Sequence, residues 1–390
     1  MISVPEAFDI IKQQVNKLPC HTVALPQAFN CVLAKPVFAL YDTPPFNNSA
    51  MDGYAFRFAD LQYSPNFSVI GSVSAGSTFN GTLMKNEAVR IFTGACIPVD
   101  ADTVVMQEKT IQNTHTVTVT DEEITLGSNV RLKGSQNKVN EMLVRAGNSI
   151  NEMIIGYLAS AGIDKVTVYQ KPSVCIITTG TELIMPGLPL QPGKIFESNS
   201  WMLNAALNKM FMQTQLYACD DSMQHLSNLL AAKATETDVI IITGGVSVGD
   251  YDFVAPALKQ LGAQIFFHKV KQKPGKPLLF AKLNNAFIFG LPGNPASALS
   301  CFYNYVKPAL HLMQGMVWPM YQTALLQNTF QKKEGLTHFV KSVCNNGGVT
   351  ILNGQESYLL NSFAAANCMA VLPETATHFE PGMTLEVLPL

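Results

Sequence analysis

No apolar stretch in this sequence reaches the roughly 18 residues that a membrane-spanning helix needs. The opening segment, MISVPEAFDIIKQQ, also lacks the basic and long apolar regions of a secretion leader. The expectation is a cytoplasmic protein with no membrane association. A basic surplus is missing too. Lys and Arg total 26 against 28 Asp and Glu, for a formal net charge of −2, so no nucleic-acid partner is expected. The eight cysteines are scattered, with no C-x-x-C pair and no close Cys/His cluster, which argues against a zinc site and a disulfide framework. Several, such as Cys175 in SVCIITTG, lie in apolar strand-like runs and read as small buried hydrophobes. With 47% hydrophobic and 14% charged residues, 390 residues supply two to four packed cores.

The local texture changes several times along the chain. From Pro5 to Leu18 the apolar positions Phe8, Ile11, Val15 and Leu18 have helical spacing. A proline-rich stretch follows, and Pro44 and Pro45 make its end an extended loop. Between about 54 and 135, short β-type runs such as THTVTVT and DTVVMQE alternate with Gly and Asn, as in a small all-β module. Residues 148–162 are helical again, with Gly162 as the stop. A discontinuous domain flanking an inserted β module accounts for this order economically. From 171 onward strand and helix alternate, which implies a parallel sheet covered by helices. Asn294 and Pro295 fit the cap and first position of a long helix. After about 316 the β texture returns, with a hairpin around Asn345 to Gly348 and a terminal strand in MTLEVLPL.

Ligands of open parallel sheets bind beyond the carboxyl ends of the strands. Two strands here end in glycine turns, TTGTEL (178–183) and TGGVSVGDYD (243–252). Successive N–H groups at Gly244, Gly245, Ser247 and Gly249 suit an anion nest, and Asp252 follows on the same rim. KQKPGKP places Lys271, Lys273 and Lys276 around a Pro-Gly turn, with Lys269 just before it. Pro292, Asn294 and Pro295 in GLPGNP form a rigid loop at another strand end. The plainer explanations are turn geometry for the glycines and a solvated loop for the lysines. Asp52-Gly53 and Thr93-Gly94, taken singly, say no more than turn.

Together and in order, PPFNNSAMDGYA, RIFTGACIPVDADTVVMQE, GKIFESNS, TGGVSVGDYDF, KPGKP, GLPGNPASA and NSFAAANCMAVLP resemble the molybdopterin molybdenumtransferase family, known as MoeA in bacteria and as the E domain of gephyrin in animals. The resemblance runs from about residue 40 to 373. It implies a multidomain α/β plus β fold. Residues 1–45 and 140–170 would form a discontinuous linking domain, 46–139 an inserted β domain, 171–316 a parallel-sheet molybdopterin-binding domain and 317–390 a C-terminal β domain. It also implies a homodimer and insertion of molybdate into adenylylated molybdopterin with release of AMP, assisted by Mg²⁺. The upstream adenylyltransferase and the acceptor molybdoenzymes are further implied partners.

By position, the resemblance assigns catalytic roles to Asp52, Thr93, Glu182, Lys269, Lys273 and Lys276. It assigns substrate binding to Asp221, Gly244, Gly245, Ser247, Gly249, Asp252, Pro292, Asn294, Pro295 and Ser362, and metal binding to Asp52, Glu182 and Asp252. Carboxylates suit Mg²⁺, and lysines suit molybdate and phosphate. A contrasting reading, a non-catalytic paralogue that binds pterin or a partner, draws on departures from the family pattern. Asn47, Thr181, Ser135 and Gln136 stand where acids or their neighbours are usual, Leu336 where a basic residue is usual, and Lys341 where Arg is. Fewer anionic ligands lower cation affinity. Gln136→Asp or Thr181→Asp is therefore expected to lower the Mg²⁺ concentration for half-maximal insertion. A Mg²⁺-titrated insertion assay checks this, and an unmoved midpoint in both variants and their double would place these positions outside the metal site.

Overall fold

The structure, a computed structural model, describes residues 1–246 and 253–390. The chain divides into two compact units. One comprises Met1–His21, Asn30–Ala34 and Val168–Leu390, and the other Thr22–Phe29 and Lys35–Thr167.

At the heart of the first unit is a six-stranded sheet. Its order is Thr214–Cys219, Val174–Thr179, Val239–Thr243, Ala286–Leu291, Leu279–Leu283 and Gln264–His268. The first four strands run parallel. The sequence pattern anticipates them, because VCIITT and VIIIT are apolar on both faces and every residue in each is buried. Leu279–Leu283 instead runs antiparallel to both neighbours. The cause is local: Asn284 takes a left-handed conformation at φ 54° and turns Leu283 straight back into Ala286, so no crossover helix intervenes. Helix Val4–Gln14 is capped by a Ser3–Glu6 box and buries Val4, Ala7 and Ile11 in the same core as Ile176, Ile241 and Phe289.

Asn294 does precede a helix with Pro295 at its first position, but its side chain makes no cap bond. The helical run from Pro295 to Met313 is interrupted by a π-turn at Phe302–Val306. Pro308 has no N–H to give to the carbonyl one turn earlier, and the wider turn directly before it accommodates that loss.

The C-terminal strands close on themselves. Thr337–Asn345, Gly348–Ile351, Gln322–Leu326, Thr384–Pro389 and Cys368–Leu372 form a ring, because Cys368–Leu372 pairs with both Thr384–Pro389 and Thr337–Asn345. Closure removes unpaired edges. Thr337–Asn345 and Gly348–Ile351 are the expected hairpin. Gln272–Lys273 adds a short parallel strand beside Thr337–His338, which ties the lysine loop to this barrel. Of the cysteines, Cys175, Cys301 and Cys368 are buried as small core residues, whereas Cys20 is exposed and the others are intermediate. Among the described residues no helix is long and apolar enough to cross a membrane.

The second unit carries a six-stranded sheet in the order Thr103–Met106, Gly53–Phe56, Glu87–Ile91, Asn66–Val73, Thr116–Val119 and Thr110–Gln112. Tyr54, Phe56 and Phe67 fill one side of it, and Ala55, Val89 and Val104 the other. Helix Glu152–Ser160 belongs to this unit, capped by Asn151, whose side chain accepts from Ile154 N–H at 2.9 Å. Chain segments far apart in sequence meet here: Val37–Phe38 pairs with Met142–Val144, and Leu25 N–H reaches the Asp164 carbonyl at 2.8 Å.

Gly53 is part of a strand rather than the second residue of a turn. Glycine is required because a Cβ there would lie 1.8 Å from the Val105 carbonyl oxygen of the neighbouring strand. Gly53→Ala forces the two strands apart and is expected to cost about 3 kcal/mol or more, at the upper end of overpacking penalties. The denaturant midpoint of the full chain measures this, and a loss below about 0.5 kcal/mol would contradict the close approach.

Candidate functional site

The carboxyl ends of the parallel strands open into a cleft of about 640 Å³. The strand Val174–Thr179 leads to Gly180 and Glu182, and Thr214–Cys219 to Asp221. Val239–Thr243 leads to Gly244 and Gly245, and Ala286–Leu291 to Pro292, Asn294 and Pro295. All of these residues line the cleft. Backbone crowding explains the glycines: a Cβ on Gly244, which has φ +89°, would stand 2.5 Å from the Thr179 carbonyl. Ser247, Gly249 and Asp252 lie outside the described residues.

Asp221 is held by Thr181, whose N–H and hydroxyl donate to one carboxylate oxygen at 2.9 and 3.0 Å. Thr181, one of the departures from the acidic pattern, thus orients an acid that is present. Glu182 folds back over Gly180, where a Cβ would lie 2.7 Å from its carboxylate oxygens. The cleft has an apolar side as well, with Leu183, Ile195, Phe196 and Tyr358.

In the other unit, Asp52 and Thr93 end neighbouring antiparallel strands, since Gly53 pairs with Ile91. Thr93 donates its N–H at 2.7 Å and its hydroxyl at 2.8 Å to Asp52 Oδ1. The backbone bond, then the hydroxyl bond, hold the Asp52 carboxyl below the usual carboxylate range, with a smaller contribution from Arg90. Arg90 itself donates to the Gly53 carbonyl at 3.0 Å and lies 5.0 Å from the centres of the Tyr54 and Phe92 rings. Asn47 and Gln136 also belong to this unit. The Asn47 side-chain oxygen accepts Lys133 N–H at 2.8 Å, a loop-fixing bond that either an amide or a carboxylate oxygen makes.

The lysine loop rests on a buried glutamine. Gln272 donates to the Gly275 carbonyl at 2.8 Å and accepts from the Tyr305 hydroxyl. Gly275, at φ +85°, packs so tightly that a Cβ would meet Cys301 Sγ at 2.4 Å. Lys271 forms an ion pair with Glu374 at 3.2 Å. Lys273 lines a second cavity, of about 590 Å³, with Lys332, Lys333, Leu336 and His338. Burial, then the charges of Lys332 and Lys273, push the His338 imidazole down to about 4, so it is neutral at pH 7. Lys276 is exposed and Lys269 half-buried at φ +90°; neither lines the strand-end cleft, although Pro277 does.

Two basic residues of the barrel are committed to the fold. Lys332 donates to the carbonyls of Lys333, Leu336 and Glu374. Lys341 is 2% exposed and donates to the carbonyls of Gly354, Glu356 and Leu359 at 2.6, 3.2 and 3.1 Å. That clamp holds the loop whose Ser357 hydroxyl accepts from Asn294 at 3.0 Å and whose Tyr358 faces the cleft. Ser362, expected to bind substrate, donates to the Gly354 carbonyl at 2.7 Å and lines neither cavity.

Most of the cleft's polar rim is thus named from the sequence, whereas Asn199 and Tyr358 of the cleft, Arg90 beside Asp52 in the other unit and Gln272 under the lysine turn are not. Arg90 and Asn199 lie inside quoted motifs and carried a usable signal. Gln272 and Tyr358 draw their roles from distant partners.

Family models match three successive stretches: the MoeA N-terminal region (domain I and II) at residues 2–162, a probable molybdopterin binding domain at 175–312, and the MoeA C-terminal region (domain IV) at 323–390. A molybdopterin molybdenumtransferase of Staphylococcus aureus (strain COL) is 35% identical over 399 residues, covering 99% of this chain and 95% of the relative. One from Staphylococcus epidermidis (strain ATCC 12228 / FDA PCI 1200) is similar to the same extent, 35% over 99% of this chain and 95% of its own length. The crystal structure of the molybdopterin biosynthesis MoeA protein from Pyrococcus horikoshii OT3 superposes with a TM-score of 0.85 at 28% identity, covering 100% of both chains. Shared motifs, matching regions in the same order and full-length similarity lead to one conclusion: the chain belongs to the molybdopterin molybdenumtransferase family.

Proposed function

We propose that this protein inserts molybdate into adenylylated molybdopterin and releases AMP. The observation that carries the reading is the strand-end cleft, where a glycine-lined backbone rim, three carboxylates (Glu182, Glu197 and Asp221) and an apolar wall meet. Such a cleft suits a ligand with phosphates at one end and a flat ring at the other. Gly244 and Gly245 bring main chain close to the phosphates. Asp221, oriented by Thr181, and Glu182 supply hard oxygen donors. Lys273 and Lys276 attract oxyanions toward the Pro-Gly turn. Asp52, kept ionised by Thr93, serves as a fixed negative charge or proton acceptor.

Magnesium fits this donor set. Among the described residues no three His, Cys, Asp or Glu side chains converge as a metal site. Mg²⁺ typically takes one or two carboxylates and completes its shell with water and substrate phosphates. Glu182 and Asp221 would hold it on the cleft rim, and when bound it would offset phosphate charge.

The proposal extends to four domains, with a linking domain of 1–45 and 140–170 apart from helix Val4–Gln14, which packs into the sheet core, a β domain of 46–139, a pterin-binding domain of 171–316 and a barrel of 317–390. It also includes a cytoplasmic homodimer that receives its substrate from an adenylyltransferase and serves acceptor molybdoenzymes. Light scattering at micromolar concentration is expected to give twice the 42.4 kDa chain mass, and a monomer mass would remove the dimer from the account.

The functional test is genetic. The wild-type chain is expected to restore molybdoenzyme activity to a strain lacking its own insertase. Asp52→Ala is expected to reduce that activity at least 100-fold while the protein still melts cooperatively and only slightly earlier, since it deletes the ionised group and its Thr93 bonds but no core contact. Full rescue by the variant would remove Asp52 from the mechanism. No rescue by the wild type, with pterin still bound, would favour the non-catalytic reading.

A further inference from the structure

Asn199 is the first residue of helix Asn199–Lys209 and lines the strand-end cleft. It is 8% exposed, and its two side-chain ends have different fates. The nitrogen donates to the Gly293 carbonyl at 2.8 Å. That bond sets the orientation of the amide, because a flipped side chain would point oxygen at oxygen. The oxygen, Oδ1, is buried and has no donor among the described residues. A buried acceptor without a donor is a cost the fold ordinarily avoids. The surrounding polar groups do not relieve it. The Glu197 carboxylate accepts from Ser200 N–H at 2.8 Å and Asp221 accepts from Thr181 N–H, and neither is bonded to Oδ1.

We infer that Asn199 reads the substrate's flat ring, accepting a hydrogen bond from a ring or exocyclic N–H through Oδ1. The inference rests on the proposed function and assigns to its substrate a residue not yet given a role. A neutral acceptor selects a donor. Phosphate and molybdate oxygens are acceptors at neutral pH and are excluded, whereas both fused heterocycles of adenylylated molybdopterin, pterin and adenine, carry N–H groups. The apolar side of the same cleft, with Ile195, Phe196 and Tyr358, suits the faces of such a ring. Asn199 thus complements the glycine rim: one end of the cleft takes anionic oxygen, and the amide fixes which way round the ligand sits.

Two probes distinguish the ring sources. The first pair is AMP and purine riboside 5′-monophosphate, which lacks only the exocyclic amine, titrated calorimetrically into the full-length protein. The second is molybdopterin, measured as pterin retained after gel filtration. If adenine is read, removing the amine weakens wild-type binding roughly tenfold, the loss of one buried hydrogen bond, and Asn199→Ala abolishes the difference between the two nucleotides. If pterin is read, AMP binding is unchanged and Asn199→Ala lowers pterin retention by a similar factor. The paired-nucleotide titration on wild type and the melting curve of Asn199→Ala guard against misfolding as the cause, and loss of the nucleotide difference in a folded variant is a readout that a purely structural role would not move. Equal binding of every probe by wild type and a folded Asn199→Ala overturns the assignment while leaving the proposed function standing. A wild type that binds neither AMP nor molybdopterin overturns both.

Discussion

The floor of the cleft depends on a backbone-to-backbone approach that tolerates no side chain. Gly244 passes so close to the end of the neighbouring parallel strand that a Cβ would sit 2.5 Å from the Thr179 carbonyl. The approach brings the loop after Val239–Thr243 against the loop after Val174–Thr179, so Glu182 and the glycine rim share one wall. Everything placed around that wall follows from strand order. Thr214–Cys219 on one side delivers Asp221, and Ala286–Leu291 on the other delivers Pro292 to Pro295. A parallel sheet sends all of these loops to the same end, which is why chemistry encoded more than 100 residues apart converges.

Charge is organised with equal economy. Two acids, Asp52 and Asp221, are each gripped by a threonine through both its N–H and its hydroxyl. This arrangement favours the ionised form and fixes the carboxylate direction. The lysines divide into two groups. Lys332 and Lys341 direct their ammonium groups at three backbone carbonyls each, and Lys271 pairs with Glu374. Lys273 and Lys276 remain exposed on a turn held by Gln272 and Gly275. Lys341 shapes the cleft indirectly, by holding the loop that presents Tyr358.

Much of the fold was legible because it rests on local chemistry. VCIITT and VIIIT are too uniformly apolar to be anything but interior strands, and Ser222 caps helix Met223–Glu236 through its hydroxyl. The antiparallel strand Leu279–Leu283 escaped notice because its direction depends on a two-residue turn at Asn284 and Asn285, while its composition matches that of a parallel neighbour. The lining of the cleft was legible where motif and geometry coincide, as at Glu182, Asp221 and Pro292. It was misleading where a side chain's partner is distant in sequence. Lys271 reads as an anion ligand until Glu374 folds beside it, and Thr181 reads as a lost acid until Asp221 arrives 40 residues later. Gly53 reads as a turn until Val105 is placed against it. Ser362 reads as a substrate contact, but its hydroxyl is turned toward the Gly354 carbonyl.

Coupling between molybdenum uptake and nucleotide release tests the central claim most directly. Purified protein loaded with adenylylated molybdopterin is supplied with molybdate and Mg²⁺, and AMP in solution and molybdenum bound to pterin are quantified in the same samples. The account predicts that both rise together at a ratio of about one, the stoichiometry of a single bond cleavage per metal inserted. Molybdenum bound to pterin without AMP release, or AMP released at the same rate without molybdate, would contradict it.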